Sequence, residues 1–235
     1  MKKIGVLIFI IALAVGVVLS NFFSFGKYVG NYPVSFSFGS KVRGSGNVVT
    51  EKRDIRNFSS VKVHGGAIEV EIVAQKDFGL EVEADDNLLS LIETEVDGQT
   101  LEIGTKKSYK TRNKIKIRVS APNIDAIENS GASGIYLTNL DSESLRIESS
   151  GASRVKVEGK TKDLKVEQSG ACRLDASGLL TNDAKIEASG ASKSSINVSE
   201  KLSVELSGAS KVNYKGNPSD IYKNTSGVSK ISQQD

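Results

Sequence analysis

The sequence predicts an all-β, single-domain parallel β-helix, or β-solenoid, after an N-terminal hydrophobic helix. Three observations lead there. The tetrapeptide Ser-Gly-Ala-Ser recurs at Ser130–Ser133, Ser150–Ser153, Ser189–Ser192 and Ser207–Ser210, with variants at Ser169–Cys172 and Ser226–Ser229. Its glycines, Gly131, Gly151, Gly170, Gly190, Gly208 and Gly227, are 18 to 20 residues apart. Each copy lies between short runs in which apolar and polar residues alternate, the mark of half-buried strands.

The first element is apolar. Met1-Lys2-Lys3 is a short cationic start, and Ile4–Leu19 is almost wholly apolar. Read as a secretory signal, it would be cleaved after Ser20, with Val18 at an unfavourable position for a peptidase that prefers small residues. Read as an anchor, Ile4–Phe25 is long enough to span a bilayer, at roughly 33 Å. The poor cleavage site favours the anchor, and both readings stay open. The two lysines hold the N-terminus inside, so the bulk of the chain is expected outside the cytoplasm, in the periplasm or at the cell surface, with the membrane as its first partner. Residues 1–25 are therefore assigned to anchor or signal. Residues 26–46, rich in Gly and Ser, read as a stalk in which Val34, Phe36 and Phe38 could form an edge strand. Residues 47–235 form the domain.

Within the domain, an apolar-x-apolar-Glu strand precedes each tetrapeptide: Leu145–Glu148, Leu164–Glu167, Ala184–Glu187 and Leu202–Glu205. A second alternating strand follows it: Ile135/Leu137, Val155/Val157, Leu174/Ala176, Ile196/Val198 and Val212/Tyr214. A repeat of two short strands and two bends cannot bury its apolar side alone. Stacked repeats can, and that is the logic of a solenoid. The phase continues upstream through Val61/Val63, Leu80/Val82, Leu101/Ile103 and Ile124/Ile127, which fall 19 to 23 residues apart. Second-strand partners follow at Ile68/Val70/Ile72 and Ile115/Ile117/Val119. About nine coils over residues 55–235 are expected, roughly 40 Å at ~4.8 Å per stacked strand. Two insertions interrupt the pattern. Asp85-Asp86-Asn87 before Leu88 and Leu89 reads as an N-capped short helix covering an end or edge. Asp97-Gly98 reads as a tight hairpin turn.

Composition excludes several function classes. With 31 Lys+Arg against 28 Asp+Glu the net charge is only +3, which argues against duplex nucleic acid as a partner. The single cysteine leaves no intrachain disulfide and no cysteine-based zinc site. The single histidine, His64, lies before Gly65-Gly66 at a bend and would have to serve alone in any Ser-His-Asp triad. No cofactor motif is present. Asn57, Asn197 and Asn224 fit the glycosylation tripeptide by chance.

Several stretches together resemble the bacterial putative auto-transporter adhesin head GIN domain family: Gly44-Ser45-Gly46-Asn47, Phe58 with Val61/Val63, Glu83–Leu89, the Pro122 segment and the Ser-Gly-Ala repeats. The resemblance covers roughly residues 44–230. It implies a right-handed β-helix-like fold in envelope proteins of unknown function. The C-terminal Ile231–Asp235 is polar, and no membrane-barrel strands follow the repeats, as a true autotransporter would need.

Stacking is expected to align equivalent residues. Glu128, Glu148, Glu167, Glu187 and Glu205 form one ladder. Arg154, Arg173, Lys193, Lys211 and Lys230 form another, with Gly134 at its first coil. Like charges about 5 Å apart repel, so each ladder needs opposite neighbours or solvent. One reading makes both solvated or mutually paired surface columns. The other makes the basic ladder a ligand-binding stripe for an acidic glycan or anionic envelope polymer. The Ser-Gly-Ala column reads as a structural corner, and Cys172 as a small, inert, partly buried thiol within it. The function expected is a non-catalytic, adhesin-like binding module. The alternatives are a polysaccharide-acting β-helix enzyme, whose only candidate carboxylates are Asp85, Asp86, Asp97 and the glutamate ladder, and a structural or sensory partner of another envelope protein.

Overall fold

The computed structural model describes residues 41–234. The apolar N-terminal run and the Val34/Phe36/Phe38 segment lie outside them. Among the described residues no helix is long and apolar enough to cross a membrane.

The chain runs through β1 (Val42–Arg43), β2 (Val48–Arg53), β3 (Ser60–Val63), β4 (Ile68–Ala74) and β5 (Gly79–Asp85) to a 3-10 turn at Asp86–Leu91. There follow β6 (Ile92–Asp97), β7 (Thr100–Thr105), β8 (Tyr109–Lys110), β9 (Ile115–Ala121) and β10 (Ala126–Asn129). The repeats supply four long strands: β11 (Gly134–Gly151), β12 (Arg154–Gly170), β13 (Arg173–Gly190) and β14 (Lys193–Leu206). The chain closes with β15 (Lys211–Lys215), β16 (Asp220–Thr225) and β17 (Lys230–Gln233). Each long strand changes register midway, so its first half stacks in one column and its second half in another.

The regular part is a solenoid of about five turns. Its inner rows are those the alternation predicts. Leu145, Leu164, Ala184 and Leu202 are in register, and so are Ile147, Val166, Ile186 and Val204. All eight are buried. Neighbouring turns bury each other's apolar side, which none could do alone.

The upstream half departs from nine successive coils. The level made by β3 and β4 is inserted between β7/β9 and β10/β11, out of sequence order. The Leu80/Val82 strand, β5, is in phase with the repeat but runs antiparallel to β9, and β2 runs antiparallel to β5. Alternation marks which residues face inward; it is the same for a strand read in either direction and carries no stacking order. The Asp97-Gly98 hairpin is present as an antiparallel pair of β6 and β7 with Asp97 opposite Thr100.

The expected N-capped helix is a 3-10 turn, and Asp85 makes no capping hydrogen bond. Its carboxylate is buried and accepts hydrogen bonds from Thr111 Oγ1 and Asn113 Nδ2, both at 2.6 Å. Asp86 accepts from Ser45 Oγ at 2.5 Å and Asn47 Nδ2 at 3.0 Å. Asn87 accepts from the Ser45 amide at 2.9 Å and donates to the Arg43 carbonyl at 2.8 Å. Asp86 and Asn87 thus clamp residues 43–47, most of which fall in the segment read as stalk, onto the domain, while Asp85 ties the same end to Thr111 and Asn113. Gly44 is required here, since a Cβ would lie 1.8 Å from Asp85 Oδ2.

Candidate functional site

The Ser-Gly-Ala-Ser bend generates the two outer faces of the solenoid. Its glycines have positive φ, the left-handed region that favours glycine. They also stack: from Gly151 onward the amide of the following residue donates to the glycine carbonyl one turn earlier, as in Ala171 to Gly151 and Ala191 to Gly170, both at 2.8 Å. The column starts earlier than the tetrapeptides show. Gly131 rests on Gly65, whose carbonyl would lie 2.5 Å from a Cβ at 131. The signal for it was the Val63-x-Gly65 spacing, which matches Asn129-x-Gly131.

The fourth residue of the tetrapeptide points inward. Ser133, Ser153, Cys172, Ser192 and Ser210 are all buried. Ser192 and Ser210 donate back across the bend to the carbonyls of Ser189 and Ser207, at 3.2 and 3.1 Å. Cys172 Sγ makes the equivalent contact to the Ser169 carbonyl at 3.2 Å. It is more deeply buried than the sequence suggests, because this column lies inside the corner and not on it.

Before the bend, the register aligns Glu128, Glu148, Glu167, Glu187 and Glu205. Lys62 and then Glu102 continue the column beyond Glu128, joined by an ion pair of 2.8 Å. Sequence reasoning missed these two because β3 stacks out of order. The column is largely neutralised from within. Arg146 pairs with Glu148, Lys165 with Glu167 at 2.7 Å, and Lys185 with Glu187 at 2.7 Å, each two residues apart on one strand. The Lys165 ammonium hydrogen-bonds Glu167 and holds its carboxyl below the ordinary range. A shallow groove of about 640 Å³ follows this column and the first serines of the tetrapeptides.

After the bend lies the basic ladder. Arg154, Arg173, Lys193, Lys211 and Lys230 are aligned in that order by unbroken register, with Gly134 and then Glu69 at one end. All five are exposed. Among the described residues none has a carboxylate within ion-pair distance, in contrast to the glutamates. The ladders therefore do not pair with each other: one is balanced by its own strands and the other is left positive.

The remaining candidates are dispersed. Asp85 and Asp86 belong to the clamp on residues 43–47, and Asp97 sits at the β6–β7 turn. The His64 ring lies over Gly104, where a Cβ would be 2.2 Å from Cε1. Among the described residues no group of three or more His, Cys, Asp or Glu side chains is placed to hold a metal ion.

The family model described as "Putative auto-transporter adhesin, head GIN domain" matches residues 57–218. No curated protein sequence matches the chain. Solved structures share the fold. A putative adhesin from Bacteroides fragilis is 21% identical, with a TM-score of 0.68 over 82% of this chain and 100% of its own. A putative adhesin from Parabacteroides merdae is 18% identical, with a TM-score of 0.55 over 83% and 99%. A putative lipid binding protein from Parabacteroides distasonis is 20% identical, with a TM-score of 0.55 over 83% and 100%.

Proposed function

The chain belongs to the putative auto-transporter adhesin head GIN domain family, and on that premise we propose that it is a non-catalytic, adhesin-like binding module of the cell envelope. The observation that carries this reading is repetition. The outer faces offer the same side chain turn after turn, in columns held by a backbone ladder. Such a surface suits a ligand with repeating units. Catalysis instead needs a few unlike groups converging on one bond.

The carboxylates that an enzyme would use support the same reading. Asp85 is buried and doubly hydrogen-bonded. Glu148, Glu167 and Glu187 are each engaged by a cation of their own strand. Glycoside hydrolysis needs two carboxyls in unlike surroundings facing one bond, whereas the register repeats one glutamate position from turn to turn along a single column. In this proposal the apolar N-terminal run, as anchor or signal, delivers the domain outside the cytoplasm. The Parabacteroides distasonis neighbour adds lipid to the ligands worth testing.

The test is retention of the full chain on envelope preparations, followed by assay of the supernatant. Saturable retention without release of reducing sugar or other small product is expected. Progressive release of product, or no retention, would overturn the proposal.

A further inference from the structure

We propose that the row Arg154, Arg173, Lys193, Lys211 and Lys230 is the binding site for an acidic polysaccharide lying along the solenoid axis. This rests on the binding-module reading above and names its ligand class and surface.

Charge balance sets this row apart. On the glutamate column, the residue two positions before each paired glutamate is its own counter-charge. On the basic row, the residues two positions after are Lys156, Asp175, Ser195, Asn213 and Ser232. The only acid among them, Asp175, is turned to Ser177, which donates to it at 2.6 Å. Five cations are thus held in line by the backbone, and among the described residues none of them has an acid within ion-pair distance.

Spacing favours a polymer. Parallel strands are ~4.8 Å apart, so the row spans roughly 19 Å with one charge per step. Like charges one strand step apart repel, and more strongly near a protein surface than in bulk water. A small anion relieves one or two such pairs. A chain with one anion per sugar relieves all of them and is ordered only once.

The shape of the row selects the occupant further. It is one residue wide in the register, and Gly134 followed by Glu69 ends it on one side. A membrane surface would engage a broad basic area. Arg154 and Arg173 present planar forks that match carboxylates. Ser195 and Ser232, on the same outward parity beside Lys193 and Lys230, offer hydroxyls to sugar hydroxyls.

The experiment uses the full chain and polygalacturonate oligomers of graded length, with neutral dextran of matching length as control. Affinity should rise with length to about five charged sugars and then level off, and should fall about tenfold or more as salt is raised from low to high. Replacing all five row residues with Ser should weaken binding by about tenfold or more. Replacing Lys52, Arg56, Lys76, Lys107 and Lys110 with Ser changes net charge equally and should leave affinity within about threefold. Thermal melting checks that both variants fold. If the five-residue variant does not, Lys193→Glu alone should still weaken binding by more than any single control change. Equal loss in the two sets, no dependence on length, or preference for anionic phospholipid vesicles or duplex DNA would overturn the proposal. Retention on envelopes without polygalacturonate binding sinks the ligand class and leaves the module reading standing. Failure of both sinks both.

Discussion

Gly170 lies so closely over Gly151 that a Cβ at position 170 would fall 2.6 Å from the Gly151 carbonyl oxygen. That oxygen already accepts the Ala171 amide at 2.8 Å. The corner between the two charged faces is thus a backbone ladder with no room for a side chain, and its φ of +99° at Gly170 disfavours one as well. Gly170→Ala should cost roughly 2 kcal/mol or more. Ala171→Ser, exposed on the same bend, should stay within about 0.5 kcal/mol. Denaturant melts of the two variants check this; equal midpoints would show that the column is not the constraint.

The inner row makes a second prediction. Val166 is fully buried between Ile147 and Ile186, while Lys165 is exposed. Val166→Asp should destabilise by several kcal/mol, of the order of the whole stability of a domain. Lys165→Asp loses an exposed pair to Glu167 and should cost less than about 1 kcal/mol. The comparison is made on melting temperature.

Acid should act first on the clamp. Hydrogen bonds from Thr111 and then Asn113 hold the Asp85 carboxyl below its ordinary range, and those from Ser45 and Asn47 do the same for Asp86. A lowered folded-state pKa contributes stability above the unfolded value, and that contribution is lost as pH falls through the folded one. Below about pH 4, amide protection in residues 42–47 and 109–113 should drop before that of β12 and β13. Asp85→Ala should produce the same local loss at neutral pH. Uniform loss along the chain would contradict this.

Buried polar groups divide into partnered and orphaned ones. Ser192 Oγ donates to the Ser189 and Gly170 carbonyls, at 3.2 and 3.3 Å. Ser149 Oγ is buried without a partner. Ser192→Ala should cost roughly 1 kcal/mol, whereas Ser149→Ala should be neutral or stabilising. A cost at Ser149 equal to that at Ser192 would show a partner such as an ordered water.

Much of the fold was legible because it is local and repeated. A fixed repeat length sets the register, alternation sets what faces inward, and the two together place Glu148 on Glu167 and Arg154 on Arg173. The glycine bend was legible too, since glycine takes the left-handed conformation without the steric cost that other residues bear. The upstream levels were not. Val61/Val63 and Leu80/Val82 carry the same alternation as the repeats, yet one strand is inserted out of order and the other runs backwards. Asp85 read as a cap because capping depends on near neighbours, whereas its partners Thr111 and Asn113 are far along the chain.

The sequence by itself determined the solenoid, its inner rows and the existence of two charged ladders. Only the tertiary structure decided the stacking order near the N-terminus, the antiparallel strands that finish that end, and the clamp on residues 43–47. It also decided which ladder is neutralised: Arg146, Lys165 and Lys185 turn along their own strands to Glu148, Glu167 and Glu187, while the basic row has no ion-pair partner among the described residues. The physical reason is the same throughout. Strand neighbours are joined by backbone groups that every residue shares, and ion pairs depend on where long side chains come to rest. Neither the neighbours of the upstream strands nor the ion pairs are encoded in a repeat length or a pattern of polarity.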